Sequence, residues 1–187
     1  MKVKILYIAV VFIITGCVTK RGPINNSDFE STITLADLQG IYRNKGDTGD
    51  TGYDIYLSKI IWPSDEELNH EHIDFVNVKI LNDSTITVIA LSGGKAVKMG
   101  QFLLEKDFSF KNGKITLNRE GGVAGFKTGE PLLGLYHGNA TLGLDNKRQG
   151  KFRSSSGAVG MAYLVVPMAM KVQQDVRFER IEQNFNN

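Results

Sequence analysis

From Ile73 onward the apolar residues recur at every second position, in short runs separated by turn residues. A helix would show a period of 3.6, so this spacing points instead to strands with one buried face. Residues 73–81 and 85–91 are β-branched runs joined at Asn82-Asp83-Ser84, a hairpin. Ser92-Gly93-Gly94 turns into residues 96–105. There the apolar parity shifts from Val97 and Met99 to Phe102 and Leu104 across Gly100, which predicts a bulge at the glycine. Phe108-Ser109-Phe110 and Ile115-Thr116-Leu117 flank Lys111-Asn112-Gly113, a second hairpin. A glycine-rich loop is expected over 120–134, then alternation at Ala140, Leu142 and Leu144, a turn over 145–150 and a return at Phe152. Two last strands are expected over 158–166 and 173–181, with Pro167 breaking between them.

The predicted fold is therefore mainly β, an antiparallel meander of eight to ten strands. Such a meander closes into a small barrel or folds into a β-sandwich, because a long open sheet leaves an unpaired edge. Tight turns in sequence order favour the barrel; the sandwich is the alternative. Twenty glycines against four prolines suit many tight turns.

Ahead of the strands, Tyr53, Tyr56, Leu57, Ile60 and Ile61 form one apolar stripe of a short helix, with Asp54 as cap and Trp62-Pro63 as its end. This helix is expected to pack on the core as a lid or plug. Thr34-Leu35-Ala36-Asp37 reads as a single helical turn in which Thr34 caps and Asp37 answers, closed by Gly40.

The N-terminus reads as an address. Lys2 and Lys4 precede ten apolar residues, 5–14, followed by Ile14-Thr15-Gly16-Cys17. The apolar run is too short for a spanning helix, which needs about 20 residues, and it suits a secretion signal. Ile14-Thr15-Gly16-Cys17 resembles the bacterial lipobox at all four positions. That resemblance implies removal of residues 1–16 and lipidation of Cys17, and Val18 in place of aspartate implies the outer membrane, facing the periplasm. Two or more acyl chains anchor effectively permanently, at about 0.8 kcal/mol per buried methylene. Residues 17–31 are expected to be a flexible tether, the alternative being an ordered arm, and residues 32–187 a single β domain.

Cys17 is the only cysteine, so the mature domain has no disulfide or cysteine metal site. Loss of Lys2 and Lys4 from the 22 basic residues leaves 20 against 20 acidic ones. No long-range field then draws in nucleic acid.

Leu35 through Asn44 carry a second resemblance. A one-turn helix followed by Asp37-Leu38-Gln39-Gly40-Ile41-Tyr42 is similar to the entrance of lipocalins and related calyx barrels. In that family a glycine, one residue and an aromatic open the first strand, and a late arginine covers the aromatic. The resemblance places Tyr42 where tryptophan is usual and offers Arg177 or Arg180 as the cover. It implies a small apolar molecule held inside the barrel.

Other constellations carry less chemistry. His70, His72 and Asp74 would share one face of an extended stretch and are the weak candidates for a metal, although the segment also reads as a charged loop. Ser154, Ser155 and Ser156 lack a nucleophile elbow and read as a turn. Gly121 to Gly125 lack the lysine and following helix of a phosphate loop. The expectation is a non-enzymatic, membrane-tethered envelope lipoprotein without cofactor. It would bind a small apolar ligand or an envelope protein. A structural lipoprotein with a solid core and a hydrolase of envelope material are the alternatives.

Overall fold

A computed structural model describes residues 17–49, 54–117, 122–124, 132–162 and 166–181. These residues are mainly β. One sheet contains β1 (Cys17–Arg21), β6 (Phe108–Lys111), β7 (Lys114–Leu117), β8 (Gly122–Ala124), β9 (Leu132–Leu144), β10 (Gly150–Ala162) and β11 (Val166–Phe178). Its order is β1-β11-β10-β9-β7-β6, with β8 also on β9. The other contains β2 (Gly40–Arg43), β3 (Phe75–Asn82), β4 (Thr85–Ser92), β5 (Lys95–Leu103) and β12 (Arg180–Ile181), ordered β12-β2-β3-β4-β5. Among the described residues neither sheet closes on itself.

The hairpins fall at the turns that the period-two runs define: β3 to β4 through Asp83-Ser84, β4 to β5 through Gly93-Gly94, and β6 to β7 through Asn112-Gly113. Gly93, Gly94 and Gly113 all have positive φ, which glycine adopts without strain. In the five-stranded sheet one register row runs Tyr42, Val76, Ala90, and its side chains are buried. The neighbouring row, Ile41, Asn77, Ile89, Met99, points away from that core.

Several local expectations are corrected. The β5 irregularity falls at Val97, where Ala90 pairs with Lys98 and Leu91 with Ala96, and not at Gly100, which keeps its partner Val88. The helix, α1, spans only Leu57–Ile61; Asp54 does not cap it but pairs with Lys45 at 2.7 Å. The glycine-rich stretch contains β8 and the start of β9. Pro167 lies inside β11, one residue from its start, where a strand tolerates a missing N–H. Ser154, Ser155 and Ser156 belong to β10, not a turn.

The chain divides into two compact units: residues 1–20, 119–139 and 154–173 in one, and 21–118, 140–153 and 174–187 in the other. β9, β10 and β11, each 13 residues long, contribute to both units. Such strands are about twice the usual length. The larger unit holds the buried core, in which Val76, Val88, Phe108, Leu144, Phe152 and Phe178 come from both sheets.

Residues 17–31 are ordered where a tether was expected. Cys17–Arg21 form β1, Pro23 is buried, and Phe29 bridges Asp145 while the Glu30 N–H donates to the Leu144 carbonyl at 2.9 Å. Lack of periodicity hid this arm because it packs through single side chains. Among the described residues no helix is long and apolar enough to cross a membrane.

Candidate functional site

The interior of the larger unit contains an apolar cavity of about 100 Å³. Its wall takes Val78, Ile86, Val88 and Phe102 from one sheet, Phe108, Ile115, Leu117 and Leu142 from the other, and Leu57 and Ile61 from α1. The helix therefore presents two residues of the stripe read from sequence, Leu57 and Ile61, to this space. Gly143, Gly150 and Lys151 complete the wall on the β9–β10 side, and Lys151 is its one charged residue among those described.

Tyr42 also lines the cavity and is 5 % exposed; its hydroxyl donates to the Leu38 carbonyl at 2.7 Å. Burial pushes the phenol up to about 12, against weak opposition from Arg180 and Arg148. The Arg180 guanidinium lies 5.9 Å from the ring centroid, and its NH2 group donates to the Gln39 carbonyl. A Cβ on Gly40 would stand 2.7 Å from the Arg180 Nε, so the glycine makes room for the arginine. Gly40, Tyr42 and Arg180 are thus brought together, whereas Arg177 is not part of the group: it pairs with Asp47 at 2.6 Å.

On the β7–β9–β10–β11 side, the arm closes over a charged cluster that sequence reading did not identify. Asp175 is 2 % exposed and accepts from Asn26 Nδ2 at 2.6 Å, Arg153 Nε at 2.7 Å and Lys151 Nζ at 3.2 Å. Burial alone would raise its pKa, but the Arg153 and Asn26 hydrogen bonds and the two cations hold it at about 2. Phe29 sits among Lys114, Lys151 and Arg153, at 5.3, 5.5 and 5.2 Å from its centroid. A Cβ on Gly143 would meet its ring at 3.0 Å. The available signal was Lys151-Phe152-Arg153, two cations on one strand face across an apolar residue.

The metal candidates separate. His70 Nδ1 lies 3.0 Å from the Ser58 Oγ, His72 is exposed, and Asp74 accepts from the Gly93 N–H at 2.7 Å. Among the described residues no group of three or more metal-ligating side chains forms. The Ser58–His70 pair is fully enclosed on the serine side. Asn44, itself buried, ties it in by donating to the His70 and Ile73 carbonyls and accepting from the Ser58 N–H. The geometry fastens α1 to the turn at His70–His72. Cys17 is the first residue of β1.

No protein-family model, curated protein or solved structure matches the chain.

Proposed function

We propose that this chain is an envelope lipoprotein, anchored through lipid on Cys17 and facing the periplasm from the outer membrane. Its larger unit would be a non-enzymatic binding module that takes a small apolar group between its sheets. The apolar cavity carries this reading: about 100 Å³ of space bounded by side chains of both sheets and α1. Close-packed interiors have few voids larger than a water molecule, and a dry apolar cavity of comparable size holds benzene or xenon. The volume lies well below the roughly 300 Å³ at which sites for drug-sized ligands begin. The occupant is accordingly a short apolar group, such as one end of an acyl chain or a small ring, rather than a large ligand.

Lipocalin-like closure belongs to the same proposal. β11 passes through Glu179 into β12, so the chain leaves one sheet and joins the other beside Tyr42. A parallel bridge from Leu104 to Phe108 brings the end of β5 to the start of β6. These two junctions support reading the two sheets as the halves of a calyx.

The reading is tested in two arms. Labelled palmitate should enter the wild-type chain and be absent from Cys17→Ser; label in Cys17→Ser overturns the anchor. Benzene or xenon titrated into the protein should shift methyl resonances of Val78, Ile86 and Val88 and raise the melting temperature. No change at saturation overturns the binding module and favours the structural lipoprotein.

A further inference from the structure

Asn26, Lys151 and Asp175 stand in mutual contact where the arm meets β10 and β11. Lys151 Nζ donates to the Asn26 Oδ1 at 2.5 Å and to the Asp175 Oδ2 at 3.2 Å, and the Asn26 Nδ2 donates to that same Oδ2 at 2.6 Å. One carboxylate oxygen thus touches both an amine and the nitrogen of a carboxamide, while the amine touches the carboxamide oxygen. The side chains of Lys151 and Asp175 are 2 % and 3 % exposed, so bulk water does not part them, whereas Asn26 is open to solvent.

An amine held against a carboxamide is placed for transamidation. A C=O bond is about 1.23 Å long, so the Asn26 Cγ lies within about 3.7 Å of Nζ, near the roughly 3–3.5 Å of a reactive approach. We infer that Lys151 and Asn26 join as an isopeptide, with Asp175 relaying the protons. Asp175 Oδ2 takes a proton from the Lys151 ammonium. The carboxamide turns about its Cβ–Cγ bond to present its face, and the freed electron pair of Nζ attacks Cγ, sending the C=O pair to Oδ1. Asp175 then passes its proton to Nδ2, Oδ1 restores the double bond, and the Cγ–Nδ2 bond breaks to release ammonia. The surplus proton on Nζ leaves with it as ammonium. An amide, ammonium and the Asp175 carboxylate remain, and no oxidant or reductant enters.

The surroundings set the pace and the consequence. Exposure of Asn26 gives the ammonia a way out. Arg153 donates to Asp175 Oδ1 at 2.7 Å and to Oδ2 at 2.9 Å and keeps the carboxylate charged, so the first proton transfer is uphill and the reaction slow. It occurs once per chain and needs no turnover. The structure holds the three side chains before reaction, with Lys151 and Asp175 as an ion pair. With Cys17 as the only cysteine, no disulfide is open to the chain. The amide would take that place: Asn26 and Lys151 are 125 positions apart, and a cross-link over a long loop restricts the unfolded chain most. It would also fasten the arm for good. The inference depends on neither the cavity nor the lipid anchor.

The test is mass spectrometry of tryptic digests of the full chain, taken from the folded protein over days. Trypsin cuts after Arg21, Arg43, Arg148 and Arg153 but not after an acylated Lys151. The parent should therefore yield a branched peptide in which residues 22–43 are joined to 149–153, lighter than the two together by one ammonia, and its share should grow with time. Lys151→Arg keeps the cation without the amine, Asp175→Asn keeps the shape without the relay, and Asn26→Ala removes the acceptor at an exposed position. Each should keep the parent's circular dichroism spectrum and yield no branched peptide. A parent digest that contains only linear peptides at every time overturns the inference. So does a branched peptide lighter by one water, which marks Lys151 joined to a carboxylate, and so does a branched peptide that forms undiminished in Asp175→Asn.

Discussion

Arg180 and Tyr42 meet twice: they are register partners where β12 pairs with β2, and the guanidinium lies 5.9 Å from the phenol centroid. The backbone pairing ties the end of the described chain to the first strand of its sheet, and the side-chain contact covers the aromatic from outside. Gly40 is the third member, since any side chain there strikes Arg180.

Tyr42→Ala should therefore cost about 3–5 kcal/mol, the usual loss for a buried aromatic. Tyr42→Phe should cost about 1 kcal/mol, because the Leu38 carbonyl loses its donor. A cation over an aromatic face contributes about 0.5–2 kcal/mol, which sets the scale for Arg180→Ala. Gly40→Ala should displace the same guanidinium, so its cost and that of Arg180→Ala should fail to add. Urea unfolding of the two single variants and the double variant measures this; strict additivity would separate Gly40 from the contact.

Asp175 and Lys151 make a second, independent prediction. Their side chains are 3 % and 2 % exposed and 3.2 Å apart. Removing one partner leaves a buried charge, which typically costs about 3–5 kcal/mol. Asp175→Leu should be destabilising by that order. The double variant Asp175→Leu, Lys151→Met should regain much of the loss, because an apolar pair is often as stable as a buried ion pair. Arg153 and Asn26 also bond Asp175, so recovery short of the parent is expected. Denaturant midpoints of the three variants decide it; a double variant no better than Asp175→Leu contradicts the argument.

Period-two runs made β3 through β7 legible because each carries its own alternation and its own turn. Tyr42 was legible through the short pattern around Gly40, since a glycine beside a covered aromatic leaves a local trace. The arm over 22–30 was not, because its contacts are one-to-one and distant in sequence: Asn26 reaches Asp175, and Phe29 reaches Lys151 and Arg153. No periodicity records such pairs. The α1 stripe was read too long at Tyr56, which keeps the helical spacing in sequence but is extended and bridges Lys45; Tyr53 lies outside the described residues. The helix begins only where Leu57 turns inward. His70 looked like a metal ligand in one dimension; its 3₁₀ turn directs it to Ser58, away from the Asp74 carboxylate that holds the Gly93 turn.

Acid should loosen the fold in two separate windows. Burial and the Lys59 charge lower the His70 pKa below 6.5, and Asp65 only partly opposes them. A group depressed in the folded state binds its proton more readily when unfolded. The stability held by neutral His70 is thus fully present above pH 6.5 and lost as the pH falls through the lowered value. Asp175, held at about 2 in the fold, keeps its contribution down to its ordinary value of 3.8 and loses it as the pH falls through about 2. Melting temperature followed from pH 8 to 2 should show a first decline starting near pH 6.5 that His70→Gln removes. A His70→Gln profile parallel to the parent's would place that decline elsewhere.

The cavity yields the last prediction, in which stability and binding move in opposite directions. Val88 is 5 % exposed and lines the space of about 100 Å³ together with Ile86 and Val78. Val88→Ile adds one methylene where there is already room, so it gains burial worth about 0.8 kcal/mol without the strain that overpacking brings to a filled core. The same methylene takes volume from any apolar guest. Val88→Ala works the other way: it costs about 1–3 kcal/mol in lost burial and enlarges the space. Benzene should then stabilise Val88→Ala most, the parent less and Val88→Ile least, while the unliganded stabilities run in the reverse order. Thermal melts with and without benzene give both orders at once. If the three proteins gain equally, the guest binds somewhere other than this cavity; if Val88→Ile is the least stable of the three, the space is not available to a side chain either.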